Sequence, residues 1–194
     1  MIFTRHPVLQ VFRHTLPWPA DPHVMSMPRI ALEATIDTPL GLIGVTCAHL
    51  EYFSLRQRMA QVEQLRVLRA EAHAHATCQR PGDAGAGPFR AVPRAPAAII
   101  AGDFNFLPDS PEHRRLLAPA ENGVPTLRDA WQLAFPDRPH GPTVGLHDTS
   151  PGAGAPFTFD YVFISDDLSG WVQSVQVGQG RQGSAHQPLR MTLA

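Results

Sequence analysis

A chain of 194 residues with 43% hydrophobic and 17% charged side chains has the size and make-up of one globular domain, not of a disordered polymer. A formal net charge of −1 argues against a dedicated duplex-DNA binder, which is basic as a rule, though a local basic patch would suffice for nucleic acid. No apolar run reaches the ~18–20 residues of a membrane span, and residues 1–10 lack a signal peptide's apolar stretch and cleavage site, so the default expectation is a soluble, cytoplasmic protein.

Residues 8–12 read as a short strand, followed by a Pro-rich loop over 17–28. Over 30–37, Ile30, Leu32, Ala34 and Ile36 alternate on one face, the period of a half-buried strand. Thr38-Pro39-Leu40-Gly41 is a turn, and 42–48 is a second, more apolar strand, so the pair reads as a hairpin. Cys47 lies in that run and reads as a buried free thiol; with Cys78 as the other cysteine there is no disulfide framework. Ser54 is an N-cap for a helix running to about Ala76, with Leu55, Met59, Val62 and Leu65 at helical spacing. Residues 79–96, rich in Pro, Gly and Ala, read as a flexible surface insertion within a single domain over 1–194. A short buried strand follows at 97–101, then a helix over 110–117 with Ser110 as N-cap and Pro111 in its first turn, and a further helix over 127–135. A Gly/Pro-rich loop covers 136–156, and strands are expected at 158–164, 171–177 and 188–193. Strands predominate with helices between some of them, which favours stacked mixed sheets covered by helices, an α+β arrangement.

Four segments carry chemistry, each at a strand end where a rigid sheet can present side chains to a cleft. In Gly102-Asp103-Phe104-Asn105, extended backbone would point Asp103 and Asn105 to the same side, where a carboxylate and a carboxamide could hold a metal-bound water or a phosphoryl oxygen. The alternative is a strand-ending Asx turn. In Thr46-Cys47-Ala48-His49-Leu50 a histidine closes an apolar strand, a position more often structural or simply exposed. Asp160 is embedded in the apolar run Phe159-Asp160-Tyr161-Val162-Phe163 and needs a partner, because burying an unpaired carboxylate costs several kcal/mol. His186, in Ser184-Ala185-His186-Gln187-Pro188, is the candidate. An Asp–His pair fixes the imidazole tautomer and suits a general base or acid near neutral pH. Weaker groupings have plainer explanations: His73, His75 and Cys78 read as an exposed helix end, and Arg13, Arg29, Arg56, Arg58 and Arg66 as scattered solvated charge.

Taken as a set, T-x-x-H-L, G-D-F-N, D-Y-V-F and S-x-H-x-P, in that order over essentially the whole chain, resemble the endonuclease/exonuclease/phosphatase (DNase I-like) superfamily of nucleases, sphingomyelinases and inositol-polyphosphate phosphatases. The resemblance implies a four-layer α/β/β/α sandwich of two mixed sheets, and a metal-dependent hydrolase of phosphodiester or phosphomonoester bonds with Mg²⁺ or Mn²⁺ as its cofactor. It assigns His186, oriented by Asp160, to activation of water. Asp103 and Asn105 would position that water, the phosphate and the metal, and His49 would bind the phosphate and assist the leaving group. The substrate class stays open among nucleic acid, phospholipid and small phosphoesters. Two departures stand out. The family's opening strands, bearing an Asn and a metal-binding Glu, have no counterpart, Glu33 and Glu51 being the nearest acids, so the chain resembles a family domain lacking its N-terminal strands. The family's S-D-H reads Ser184-Ala185-His186 here. Both departures feed the alternative of a catalytically weakened member acting as a binding module.

Overall fold

The computed structural model describes residues 1–78, 87–152, 154–178, 180 and 183–194. Among these residues eight strands and three α-helices follow one another: β1 Val8–Thr15, β2 Ile30–Thr38, β3 Gly41–His49, α1 Leu55–Thr77, β4 Ala97–Asp103, α2 Pro111–Leu117, β5 Leu127–Asp129, α3 Ala130–Ala134, β6 Asp160–Ser165, β7 Val172–Val177 and β8 Leu189–Leu193. Six strands form one sheet in the order β1-β2-β3-β4-β6-β5, and β7 and β8 form a second. β3 and β4 run parallel and the remaining pairs antiparallel, so the large sheet is mixed. The parallel pair needs a long crossover, which α1 supplies on one face of the sheet.

The register sorts the sheet's side chains into two faces, because directly opposed residues point the same way. On one face Ala31, Ala48, Ile100 and Phe163 pack with Tyr161, Phe104 and Phe106 against Val62 and Leu65 of α1 and Leu116 of α2. Each fully buried ring or leucine here is worth ~1.5–3 kcal/mol relative to exposure. On the other face Ile43, Ala97, Val162 and Ile164 meet Val175 of β7, with Leu189 and Met191 of β8 alongside. That second cover is partial. Val8 and Val11 of β1 are exposed, Leu32, Val45 and Ile99 are half-buried, and β8 pairs with no strand but β7 among the described residues.

Several elements depart from the sequence reading. The buried stripe of α1 is Gln57, Gln61, Val62, Leu65, Arg69 and Ala72, while Leu55 faces solvent. The two glutamines replace apolar contacts because α1 also docks on the Pro-rich loop, whose carbonyls lack strand partners. Gln57 Nε2 donates to Pro19 O at 2.9 Å, Gln61 Nε2 to Pro17 O at 3.2 Å, and Gln61 Oε1 accepts from Glu51 N at 2.8 Å. The helix expected over 127–135 is split. Its first three residues pair with β6, and Asp129, in extended conformation, caps the short α3 by accepting from Trp131 N at 2.8 Å. Cys47 is half-buried and free. Of the insertion expected over 79–96, residues 79–86 lie outside the described residues; beyond them, Arg94 returns to the sheet, 3.3 Å from Glu33 and stacked 4.2 Å over the Phe12 ring. The five arginines weighed as a patch are mostly tied into the fold: Arg58 to Glu112, Arg66 to carbonyls of 115–119, Arg29 to Glu51 and Arg56 to Ala20 O. No helix is long and apolar enough to cross a membrane, among the described residues.

Candidate active site

Three of the site residues named from sequence stand in one row across the large sheet. The β3–β4 register sets His49 opposite Asp103, and the β4–β6 register sets Asp103 opposite Asp160. All three therefore point from the same face at the same end. Gly102 makes the row possible: its φ is +149°, and a Cβ there would lie 1.9 Å from Ala48 O, so β3 and β4 approach where only glycine fits.

His186 reaches the row through a loop. Thr143 and Val144, inside the stretch expected to be an unpaired loop, pair by backbone with Phe157 on one side: Thr143 N donates to Phe157 O at 2.8 Å and Val144 N at 2.9 Å. On the other side Gln187 N donates to Thr143 O at 2.7 Å, and Val144 bridges His186. This two-residue splice brings the approach to β8 against the approach to β6. His186 Nδ1 then lies 2.8 Å from Asp160 Oδ2, Nε2 lies 4.0 Å from Asp103 Oδ2, and His49 Nε2 lies 3.5 Å from that same oxygen.

Thr143 is the residue sequence reasoning missed. Its hydroxyl donates to Asp160 Oδ2 at 2.7 Å and accepts from the backbone N–H groups of Phe159 and Asp160, each at 3.2 Å. It thereby clamps the carboxylate that orients His186. The only sequence signal was a β-branched pair, Thr143-Val144, within a run of Gly and Pro.

Asn105 does not continue the strand. Its φ is +52°, its backbone N–H donates to Asp103 Oδ1 at 3.0 Å, and its carboxamide Nδ2 donates to Leu50 O at 2.9 Å. The Asx turn weighed as the alternative for this segment is present, and Asn105 ties the ends of β3 and β4 together directly behind Asp103.

Burial pushes the Asp103 carboxyl above its usual range. The Asn105 N–H opposes this, the negative Asp160 adds to it, and His49 and His186 pull it back. Asp103, Asp160 and His186 each offer a ligand atom within 4.8 Å of the others. A cation between them would relieve the repulsion between the two carboxylates, and a set with two carboxylate oxygens suits a hard divalent ion.

The family model described as "Endonuclease/Exonuclease/phosphatase family" matches residues 1–181. No curated protein sequence matches the chain. Among solved structures, an endonuclease/exonuclease/phosphatase from Bacteroides vulgatus superposes with a TM-score of 0.67 at 18% identity, covering 97% of this chain and 66% of the other. A mannosyl-6-phosphatase of Bacteroides thetaiotaomicron gives 0.60 at 16% identity, covering 97% and 67%. D. rerio TDP2 complexed with a single-strand DNA product gives 0.59 at 18% identity, covering 96% and 68%. The chain thus spans about two thirds of the length of these structures. At such identities the likeness speaks for the fold, a DNase I-like α+β sandwich built on a mixed sheet; together with a family match over nearly the whole sequence, it means that this chain belongs to the endonuclease/exonuclease/phosphatase family of hydrolases.

Proposed function

We propose that this chain hydrolyses a phosphodiester or phosphomonoester bond by attack of water, with His186 as the base. The 2.8 Å pairing of His186 Nδ1 with Asp160 Oδ2 carries the reading. That bond, held by the Thr143 hydroxyl on the same carboxylate oxygen, places the ring proton on Nδ1 and leaves the Nε2 lone pair free on the cleft side. A water between Nε2 and Asp103 Oδ2, 4.0 Å apart, is within hydrogen-bonding reach of both. His186 takes the water's proton as its oxygen bonds to phosphorus; the bond to the leaving oxygen breaks, and that oxygen departs with the electron pair. His49, with 57% of its side chain exposed beside Asp103, is placed to donate to a phosphoryl oxygen or to the leaving group. Asn105, fixed by its bonds to Asp103 and Leu50, holds Asp103 in place.

Asp103 and Asp160 are the groups that would hold Mg²⁺ or Mn²⁺, leaving His186 Nε2 to act as the base; when bound, the ion would neutralise charge building on the phosphoryl oxygens. The test is release of p-nitrophenol from bis(p-nitrophenyl) phosphate by the purified chain, with Mg²⁺ and with excess EDTA. Turnover that needs the cation is expected; undiminished turnover in EDTA excludes the metal-assisted mechanism. A second reading is a catalytically weakened member that binds a phosphoester without turning it over. It is favoured by Ala185, whose methyl stands where the family has a carboxylate, and it is chosen if phosphate esters bind but no product forms.

A further inference from the structure

Four aromatic side chains line up along one side of the site. Phe53 and Tyr52 meet edge to face with ring centroids 4.8 Å apart, Tyr52 meets Phe159 at 6.1 Å, and Phe159 meets Phe157 at 4.7 Å. Two local devices hold this ridge. Glu51 Oε1 accepts from the backbone N–H groups of Tyr52 and Phe53 at 2.9 and 3.0 Å, fixing the turn that displays both rings. Phe159 O accepts from Phe104 N at 2.8 Å, fixing its ring directly beside Asp160. Yet Tyr52 and Phe53 are half exposed, at 51% and 52%, and Phe157 is exposed as well. A contiguous aromatic surface held rigid but left in water marks an interaction site.

The ridge borders a groove of about 470 Å³ that also touches Asn105, Leu107 and Arg58. That volume is within the range of small-molecule sites. None of His49, Asp103, Asp160 and His186 lines the groove; Asn105, bonded to Asp103, and Phe159, the residue before Asp160, connect it to the catalytic row, which is the side from which an occupant would reach the reacting phosphate. Its chemistry follows from what lines it. Among the described residues that line it, Arg58 is the only basic side chain, and it is spent on Glu112 at 2.8 Å and on the carbonyls of Glu51 and Tyr52 at 3.0 and 2.8 Å. The chain has no lysine at all. Among the described lining residues, a polyphosphorylated polyol or a long polynucleotide would find no free positive charge for its further phosphates. An acyl chain is better served by a deep aliphatic slot than by an open groove walled by rings.

We infer that the ridge of Phe53, Tyr52, Phe159 and Phe157 is a stacking subsite for a planar heteroaromatic group carried next to the scissile phosphate, so that the substrate is a phosphoester of mononucleotide size. This rests on the phosphoester reading of the neighbouring Asp103–Asp160–His186 site. A single base stacked on aromatic side chains strengthens binding by about tenfold.

The experiment is equilibrium binding by calorimetry of adenosine 5′-monophosphate, ribose 5-phosphate and adenosine to the 194-residue chain with Mg²⁺ present. The Tyr52→Leu and Phe157→Leu variants are measured alongside, after their melts show that they fold. The nucleotide is expected to bind ~10-fold tighter than ribose 5-phosphate, and this ratio should fall towards one in each variant. Equal affinity of the two phosphates for the native chain overturns the proposal, as does a ratio that survives both substitutions or the absence of binding by all three probes. Tighter binding of an inositol trisphosphate or a short-chain phosphatidic acid than of the nucleotide overturns it in favour of those classes. Adenosine binding as tightly as its monophosphate would support the ridge while refuting the phosphoester site beside it, so the two readings fail separately.

Discussion

Among the described residues two clusters of Asp and His lie on opposite faces of the large sheet, and by ligand spacing alone either could hold a metal ion. Asp103, Asp160 and His186 stand at the open end of the face that meets β7 and β8. His113, Asp129 and His140 lie on the face that carries Phe163, with His113 and Asp129 almost fully buried. There both carboxylate oxygens of Asp129 and both ring nitrogens of His113 are accounted for. Asp129 Oδ2 accepts from His113 Nε2 at 2.9 Å and from His140 Nε2 at 2.8 Å, and Oδ1 accepts from Trp131 N. His113 Nδ1 accepts from Asp109 N at 3.3 Å, which keeps the ring proton on Nε2, the atom a metal would need. The His113 ring also sits 5.5 Å from Tyr161 and 5.8 Å from Phe163, packed as a core aromatic. The electrostatics run in opposite senses. Burial works to raise the Asp129 carboxyl, but hydrogen bonds from both histidines outweigh it and leave it below its usual range. Asp103 is pushed above its range by burial and by the nearness of Asp160. A satisfied cluster holds a fold together, whereas a cluster with crowded like charges and a free imidazole nitrogen is poised for a ligand. Spacing does not separate the two; the hydrogen bonds do.

The contrast can be broken by substitution. His186→Ala should lower kcat for phosphoester hydrolysis by ~10²–10⁴, the usual size of a general acid–base contribution, and leave the urea midpoint near that of the native chain. A rate unchanged in preparations free of contaminating nuclease would remove His186 from the mechanism. Asp129→Ala should do the reverse. Removing one partner of a buried charged network costs ~3–5 kcal/mol, a large part of a domain's ~5–15 kcal/mol margin, so equilibrium urea unfolding should show a large loss of stability. A midpoint close to native would mean that the buried cluster is not structural.

Acid should sharpen the comparison. The folded carboxyl of Asp129 lies below its unfolded value of ~3.9, so its stabilisation is complete above that pH and is lost as pH falls through the folded value. The stability gap between the native chain and Asp129→Asn should therefore close below about pH 4. Asp103, with its folded value raised, stabilises least when ionised, so its contribution declines as pH rises from the unfolded towards the folded value. In metal-free buffer at neutral pH, Asp103→Asn should melt at or slightly above the native temperature while losing activity. A clear drop in melting temperature would contradict the picture of crowded carboxylates.

The same contrast shows what could be read from the sequence. The row of His49, Asp103 and Asp160 was legible because each residue stands at the end of, or within, a short apolar run that reads as a strand, and because the motifs there resemble those of a known family. The buried cluster was not, since His113 sits in a helix, Asp129 at a strand end and His140 in a loop, joined only by tertiary packing. Thr143 was hidden for a related reason: its role depends on a two-residue splice between distant segments, which no local pattern encodes. The polar buried face of α1 defeated an apolar-spacing argument because Gln57 and Gln61 serve the carbonyls of the Pro-rich loop rather than a hydrophobic core. Leu127–Asp129 looked helical by composition, yet pairing with β6 claimed it.

The central claim, that the open cluster and not the buried one is the metal-dependent site, is tested most directly by adding Mn²⁺ in small steps while recording the histidine imidazole resonances. The account predicts that the His186 signal broadens first, followed by His49, at additions that leave His113 and His140 sharp. Broadening of His113 and His140 ahead of His186, or no selective broadening at all, would contradict it.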